Sequence, residues 1–211
     1  MVQNKAPLFT LYEHRLSPFC VAVRIALNEC DQAFTPRDVD LTKPRTAAFL
    51  KRSPFGRLPA LVEHRPGGEL AIFESPAILL FLAERFEKTS LAFVDLASKA
   101  QALSWLSFIA TGFAESLWAC LEEKNHHAGK YGELLEAFEQ QIDVLDAHLA
   151  RRAFLAGDYS VADTLAIPLL DLLGRVKDLD MGGFPHVISW RDRLRARPSY
   201  KGVWPYGDEP K

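Results

Sequence analysis

The sequence predicts an α/β domain followed by an all-α domain. Three observations carry that expectation. Residues 1–86 alternate strand-like with helix-like stretches and hold most of the 13 prolines. Residues 97–200 read as one helical stretch after another. Residues 87–96 interrupt the pattern and form the expected linker. A length of 211 residues allows one large domain or two small ones. The change in texture favours two, over 1–86 and 97–211.

The elements follow in order. Leu8–Tyr12 is apolar and aromatic on both faces, as a central strand would be. Pro18–Asn28 is an expected helix. Phe19, Ala22, Val23, Ala26 and Leu27 recur at helical spacing and form one apolar face. Thr35–Leu41 is an expected second strand, with Val39 and Leu41 on one side. Thr46–Lys51 is an expected short helix, closed by Ser53-Pro54-Phe55-Gly56. Ala60–Glu63 and Leu70–Glu74 are strands joined by His64 to Glu69, whose Pro-Gly-Gly chemistry implies an antiparallel hairpin. Ser75-Pro76 then opens a helix to about Phe86, with Ser75 as the expected N-cap and Pro76 as the first helical residue. The order so far is β-α-β-α-β-β-α, a mixed sheet covered by helices.

In the second half, Ser98 to about Glu123 is expected to be one long helix and Tyr131–Arg152 another. Ser160-Val161-Ala162-Asp163 reads as a capping box that starts a third. Pro185–Arg197 is a fourth, stopped by Pro198. Residues 202–211 are an expected loose tail.

Composition excludes several function classes. The 25 basic and 27 acidic residues leave a net charge of −2. A dedicated binder of nucleic acid or anionic membrane shows a basic excess instead. The longest apolar runs, such as Ala77–Ala83, fall far short of the roughly 20 residues that span a bilayer. The first residues lack an apolar signal core, and the three cysteines are too few for a disulfide scaffold. These features lead to an expected cytoplasmic location. His126 and His127 are adjacent and share no helix face, so no metal site is expected. Arg191, Arg193, Arg195 and Arg197 alternate along a helix and read as a solvated surface.

Four stretches carry chemistry. They are Ser17-Pro-Phe-Cys20 with Arg24 after it, Pro54-Phe-Gly-Arg-Leu-Pro-Ala-Leu61, Phe73-Glu-Ser-Pro-Ala-Ile78, and Phe154 to Asp163. In this order and spacing the chain resembles the cytosolic glutathione S-transferase superfamily, in its Ser-type branch, bacterial or phi- or zeta-like. The resemblance covers Leu8 to about Val203. It implies a thioredoxin-like N-terminal domain, a C-terminal helical bundle, and a homodimer. The doubled Ser and nearby Cys of the maleylacetoacetate isomerase class are absent.

The resemblance also implies a glutathione site. Pro59 would be cis, exposing the Leu58 backbone to pair with the cysteinyl unit of glutathione. Glu74 would pair with the γ-glutamyl ammonium, and Ser75, at a helix N-terminus, would take the α-carboxylate. Phe19 belongs to the same set, next to Ser17. The glycine end would meet Lys43 or Arg45, with Arg57 contributing. Ser17 would donate its hydroxyl proton to the glutathione sulfur. A free thiol has a pKa of about 8.5, and a helix N-terminus lowers it. The nucleophile is thus supplied by the co-substrate rather than by the chain. Cys20 stands where some relatives carry a second cysteine, but without the first it is expected to be buried and inert. Arg24 is expected to be structural, and Tyr12 to lie in the core.

The implied activity is conjugation of glutathione to an electrophilic apolar small molecule, a detoxification reaction. The electrophile would sit between the domains, bounded by His14–Leu16 and the long helix with its aromatics Trp105, Phe108, Phe113 and Trp118. Two alternatives stay open. One is a non-catalytic ligand-binding or regulatory protein of the same fold. The other is a glutathione-dependent disulfide reductase or isomerase.

Overall fold

Strand β1 (Phe9–Glu13) sets the layout of the first unit, because its residues alternate between buried and half-buried. The computed structural model describes residues 7–122 and 129–203. In it β1 lies inside a four-stranded sheet of order β2-β1-β3-β4. It pairs parallel with β2 (Phe34–Asp38) and antiparallel with β3 (Ala60–Arg65), which pairs antiparallel with β4 (Gly68–Phe73).

The pleat sends Phe9, Leu11 and Glu13 to one face and Thr10 and Tyr12 to the other. Helix α1 (Pro18–Glu29) packs on the first face, where Arg24 grips the buried Glu13 with two bonds of 2.5 and 2.6 Å. Helix α3 (Ser75–Arg85) packs beside α1 on the same side. Its Arg85 donates to the buried Glu63 at 3.1 Å, and Arg65 donates to the same carboxylate. The short α2 (Ala47–Leu50) covers the opposite face, with the Phe49 and Tyr12 rings 5.6 Å apart. Tyr12 is therefore half-buried under α2 rather than in the central core.

Three expected elements differ here. Helix α1 is buried over more than one stripe: Cys20, Val21 and Ile25 join the core, while Phe19 stays half-exposed. The second strand stops at Asp38, and Leu41 is 48% exposed. The Asp40 carboxylate takes the Thr42 amide and hydroxyl at 2.9 and 2.6 Å, and this local turn ends the strand. The hairpin is tighter than the sequence suggested. Arg65 pairs with Gly68, leaving only Pro66-Gly67 in the turn. Gly67 has a φ of 89°, as the third position of a type II turn requires.

The second unit is helical. Helix α4 (Leu96–Phe108) starts two residues before the expected Ser98. Asp95 is its N-cap and Ser98 the reciprocal partner three positions inside the helix, a capping box. The expected long helix is not uniform. It widens into a π-helical turn over Ile109–Phe113 before α5 (Ala114–Leu121). Thr111 there bonds back to the Ser107 carbonyl at 2.9 Å, competing with the helical ladder. Helix α6 (Tyr131–Leu149) packs on α5, and every residue of α7 (Val161–Leu170) is buried, beneath α4 and α8 (Pro185–Arg195).

The capping box predicted at the start of α7 is present. Asp163 is fully buried and accepts from the Leu155 amide, the Ser160 amide and hydroxyl, and the Trp190 indole, all at 2.9–3.0 Å. The arginine run on and after α8 is not a solvated face. Arg195 pairs at 2.5 Å with the buried Asp171, Arg193 donates to the Ala153 carbonyl, and Arg197 lies 3.5 Å from the Tyr159 ring centre. Their partners sit 24–40 residues away, beyond any local pattern.

The described residues up to Ala92, with Gly202 and Val203, form one compact unit, and those of Phe93–Lys201 form the other. No helix among the described residues is long and apolar enough to cross a membrane. His126, His127 and most of the expected C-terminal tail lie outside the described residues.

Candidate functional site

Strand register brings three of the four motifs to one end of the sheet. Tyr12 pairs with Ala60, and Ala60 with Phe73. The segments just beyond those residues therefore leave side by side: the β1–α1 turn carrying Ser17, the Leu58-Pro59 entry to β3, and Glu74-Ser75 after β4. Neighbouring strands are about 4.8 Å apart, so the three segments span on the order of 10 Å.

Ser17 follows a turn closed by its own amide on the His14 carbonyl at 2.9 Å. It is the N-cap of α1, and its hydroxyl oxygen accepts from the Cys20 amide at 3.4 Å. Pro18 has no N–H, so the first donors at this helix end are the amides of Phe19 and Cys20. The same hydroxyl also hydrogen-bonds the Cys20 side chain, which offsets part of the effect of burial on that thiol. Cys20 is fully buried, and burial pushes its thiol up to about 11. A thiol in that state is not a nucleophile near neutral pH. Arg24 is committed to Glu13, and that hydrogen bond raises its already high pKa further.

The Leu58-Pro59 bond is cis, as the sequence resemblance implied. The Leu58 N–H and carbonyl enter no backbone hydrogen bond among the described residues. The preceding loop is rigidly tied. Ser53 is buried and donates to the Arg57 carbonyl at 2.8 Å, and Arg45 Nε donates to the Gly56 carbonyl at 3.0 Å.

Glu74-Ser75 differs from the sequence expectation. Glu74, not Ser75, occupies the N-cap position of α3, with no side-chain cap. Its φ of 66° and ψ of 124° lie outside the ordinary regions for a residue with a side chain. Such backbone persists where its surroundings enforce it and gathers at ligand sites. Ser75 is instead the first helical residue and is buried. The Glu74 carboxylate is exposed, and neither it nor the Ser75 hydroxyl has a hydrogen-bond partner among the described residues.

The cations expected at the glycine end separate into two groups. Lys43 pairs with Asp40 at 3.0 Å. Arg45 donates to the carbonyls of Gly56, Asp40 and Lys43, bracing two loops against each other. Arg57, next to Leu58, is exposed and has no ion-pair partner among the described residues. Phe19 is half-buried one residue into α1. Sequence reasoning missed the bracing role of Arg45 because its acceptors are backbone atoms, which carry no residue signature.

In the second unit, Trp105 and Phe108 are half-buried, Phe113 is in the core and Trp118 is 38% exposed. Trp105 lies 4.4 Å from the His148 ring centre.

The chain matches known proteins over most of its length. Residues 11–90 match the N-terminal domain of glutathione S-transferases and residues 109–198 the C-terminal domain. The chain is 30% identical over 224 residues to "Glutathione S-transferase 3" of Zea mays, covering 93% of this chain and 92% of that one. It is 33% identical over 168 residues to "Disulfide-bond oxidoreductase YghU" of Escherichia coli K12, covering 74% of this chain but 57% of that protein's length. The solved structure "Ure2p in complex with glutathione" superposes with a TM-score of 0.85 at 26% identity, covering 96% of this chain and 97% of that one.

Proposed function

This chain belongs to the glutathione S-transferase family, and from that premise we propose that it binds glutathione at the sheet end and transfers its sulfur to an electrophile. One observation carries the reading. Leu58, Glu74 and Ser75 present polar groups without internal partners at one end of one sheet, next to the Ser17 hydroxyl. Polar groups at a strand end that have no internal partner are available to a ligand, and the exposed Glu74 carboxylate adds a charge for it to meet. A tripeptide with an ammonium, two carboxylates and a backbone to match fits these groups.

In the reading, the Leu58 amide and carbonyl pair with the cysteinyl backbone. Glu74 takes the γ-glutamyl ammonium, and the Ser75 N–H and hydroxyl take its carboxylate. Arg57 takes the glycine carboxylate, since the head groups of Lys43 and Arg45 are already engaged. Ser17 donates to the sulfur while its oxygen caps α1, and the helix end favours the thiolate. The thiolate then attacks an electrophilic carbon of an apolar molecule and the leaving group departs with its electron pair. The active form is a homodimer in this reading, which sedimentation equilibrium tests; a monomer at micromolar concentration contradicts it.

Ser17→Ala is expected to lower kcat/KM at least tenfold, because one charge-assisted hydrogen bond contributes about 1.5–3 kcal/mol. Unchanged turnover removes Ser17 from the mechanism.

The similarity to a disulfide-bond oxidoreductase favours a second reading of the same site. The same thiolate attacks a disulfide sulfur, giving a mixed disulfide and one released thiolate. A second glutathione thiolate then resolves it to glutathione disulfide and the other thiolate. Cys20 takes no part, because its thiol is buried. Assays with an aryl halide and with a small disulfide separate the readings, and Cys20→Ser leaves either activity unchanged.

A further inference from the structure

Thr10, His64 and Glu69 meet on the α2 face of the sheet. Thr10 pairs with Val62 across β1 and β3, and Val62 with Ala71 and His64 with Glu69 across β3 and β4. The pleat therefore turns Thr10, His64 and Glu69 to the same face. The Thr10 hydroxyl oxygen lies 2.8 Å from His64 Nε2, and the other ring nitrogen, Nδ1, lies 3.4 Å from a Glu69 carboxylate oxygen. Arg52 holds the second Glu69 oxygen at 2.9 Å and is itself anchored on the Ala48 carbonyl. His64 stands four residues along β3 from Ala60, about 13 Å from the strand end that carries the candidate glutathione site.

The connectivity sets the place of the imidazole proton. A carboxylate beside Nδ1 favours the tautomer protonated there, which leaves Nε2 to accept the threonine proton. Hydroxyl, imidazole and carboxylate then stand in the order, and on the ring nitrogens, by which a hydroxyl is activated as a nucleophile. His64 and Glu69 are exposed, and Thr10 is half-buried. In the same row as the hydroxyl, Val62 is buried and the exposed Ala71 offers only a methyl group, so a small acyl donor can reach Thr10. Strand β1 is paired on both sides, so its amides serve the ladder rather than an incoming oxyanion. The cluster therefore suits esters whose leaving group departs readily, such as aryl esters.

We propose that Thr10, with His64 as its base and Glu69 as positioning residue, is an acyl-transfer site that hydrolyses small aryl esters. The Thr10 oxygen bonds to the acyl carbon, the ester C–O bond breaks, and the aryl oxide leaves with the electron pair. The threonine proton passes to His64 Nε2 and from there to the aryl oxide. Water then attacks the acyl-threonine and gives one proton to His64. The carboxylic acid leaves as the Thr10 oxygen takes that proton back. Glutathione does not enter this balance, so the proposal does not rest on the transferase reading.

The test incubates the full chain with 4-nitrophenyl acetate in the absence of glutathione. Nitrophenolate release is followed beside mass spectrometry of rapidly quenched protein. Saturable release and an acetyl group on Thr10 are expected. Thr10→Val, which keeps the shape of the side chain, and His64→Gln are each expected to lower kcat/KM at least tenfold. Thr10→Ser keeps the hydroxyl and is expected to retain the release. Glu69→Gln is expected to lower the rate severalfold and to move the His64 nitrogen-15 NMR signals away from the Nδ1-protonated tautomer, a change that lost packing alone would not produce. Saturating S-methylglutathione is expected to leave the rate unchanged, and circular dichroism melts check that the variants are folded. A wild-type rate in Thr10→Val overturns the proposal and assigns the chemistry to the imidazole or a lysine. So does the absence of an acetyl group on Thr10, or inhibition by S-methylglutathione, which places the reaction in the glutathione site.

Discussion

Ser17 holds two roles that a single substitution confuses. As N-cap it satisfies the Cys20 amide, and as donor it would face the glutathione sulfur. Alanine removes both and costs about 1 kcal/mol of helix stability, whereas glycine costs only a few tenths as a cap. Ser17→Gly is therefore expected to keep the unfolding midpoint of the wild type and still lose turnover at least tenfold. Urea unfolding beside initial rates checks both halves. Cys20 makes a different prediction. Burial raises its thiol from the ordinary thiol range to about 11, so the fold favours the neutral form. That contribution is complete below pH 9 and is lost as pH rises through about 11, up to about 3 kcal/mol. Urea unfolding between pH 8 and pH 11 should show a steeper loss for wild type than for Cys20→Ala. Equal slopes contradict it. The cap at Ser17 and the burial of Cys20 were legible because both follow from a strand–Ser–Pro–helix junction. The positive φ of Glu74 was not, because Ser-Pro is so good a local helix start that it masks the residue before it.

At the scale of elements, the two capping boxes illustrate what local sequence can and cannot tell. Ser160 to Asp163 was readable, and Asp95 to Ser98 was passed over because Ser98 alone looked like a start. Asp163 then does more than a cap, since it also accepts from Leu155 and Trp190, 8 and 27 residues away. Asp163→Ala strands four buried donors and is expected to cost about 3 kcal/mol or more. Chemical denaturation checks this, and a loss under 1 kcal/mol contradicts the buried network. The π-helical turn at Ile109–Phe113 and the arginine contacts of α8 were not legible either. Each depends on groups brought near only by the fold, whereas period and capping report on neighbours within a turn or two. The hairpin and the succession of strands and helices along the chain were legible because Pro-Gly turns and alternation act locally, whereas the sheet order β2-β1-β3-β4 rests on pairings distant in the chain.

For the whole molecule, an α/β unit and a helical unit follow from the change in texture near residue 90, and the family assignment follows from four short motifs in register. The near-neutral charge is consistent with a site built from a few placed groups rather than a broad field. Those groups come from three strand ends, with Ser17 and Leu58 41 residues apart in the chain and Leu58 and Glu74 16, so the register of the sheet brings them together. The sequence motifs named the residues, and the sheet determines which of them are left without partners. The central claim is that this sheet end binds glutathione and ionises its thiol. The most direct measurement is a glutathione titration at neutral pH, followed by the ultraviolet difference absorbance of the thiolate. The account predicts a saturable thiolate signal, an apparent thiol pKa below the free value of about 8.5, and loss of the signal in Ser17→Ala while glutathione still binds. Glutathione that binds the wild type without any thiolate signal, or that does not bind at all, would contradict it.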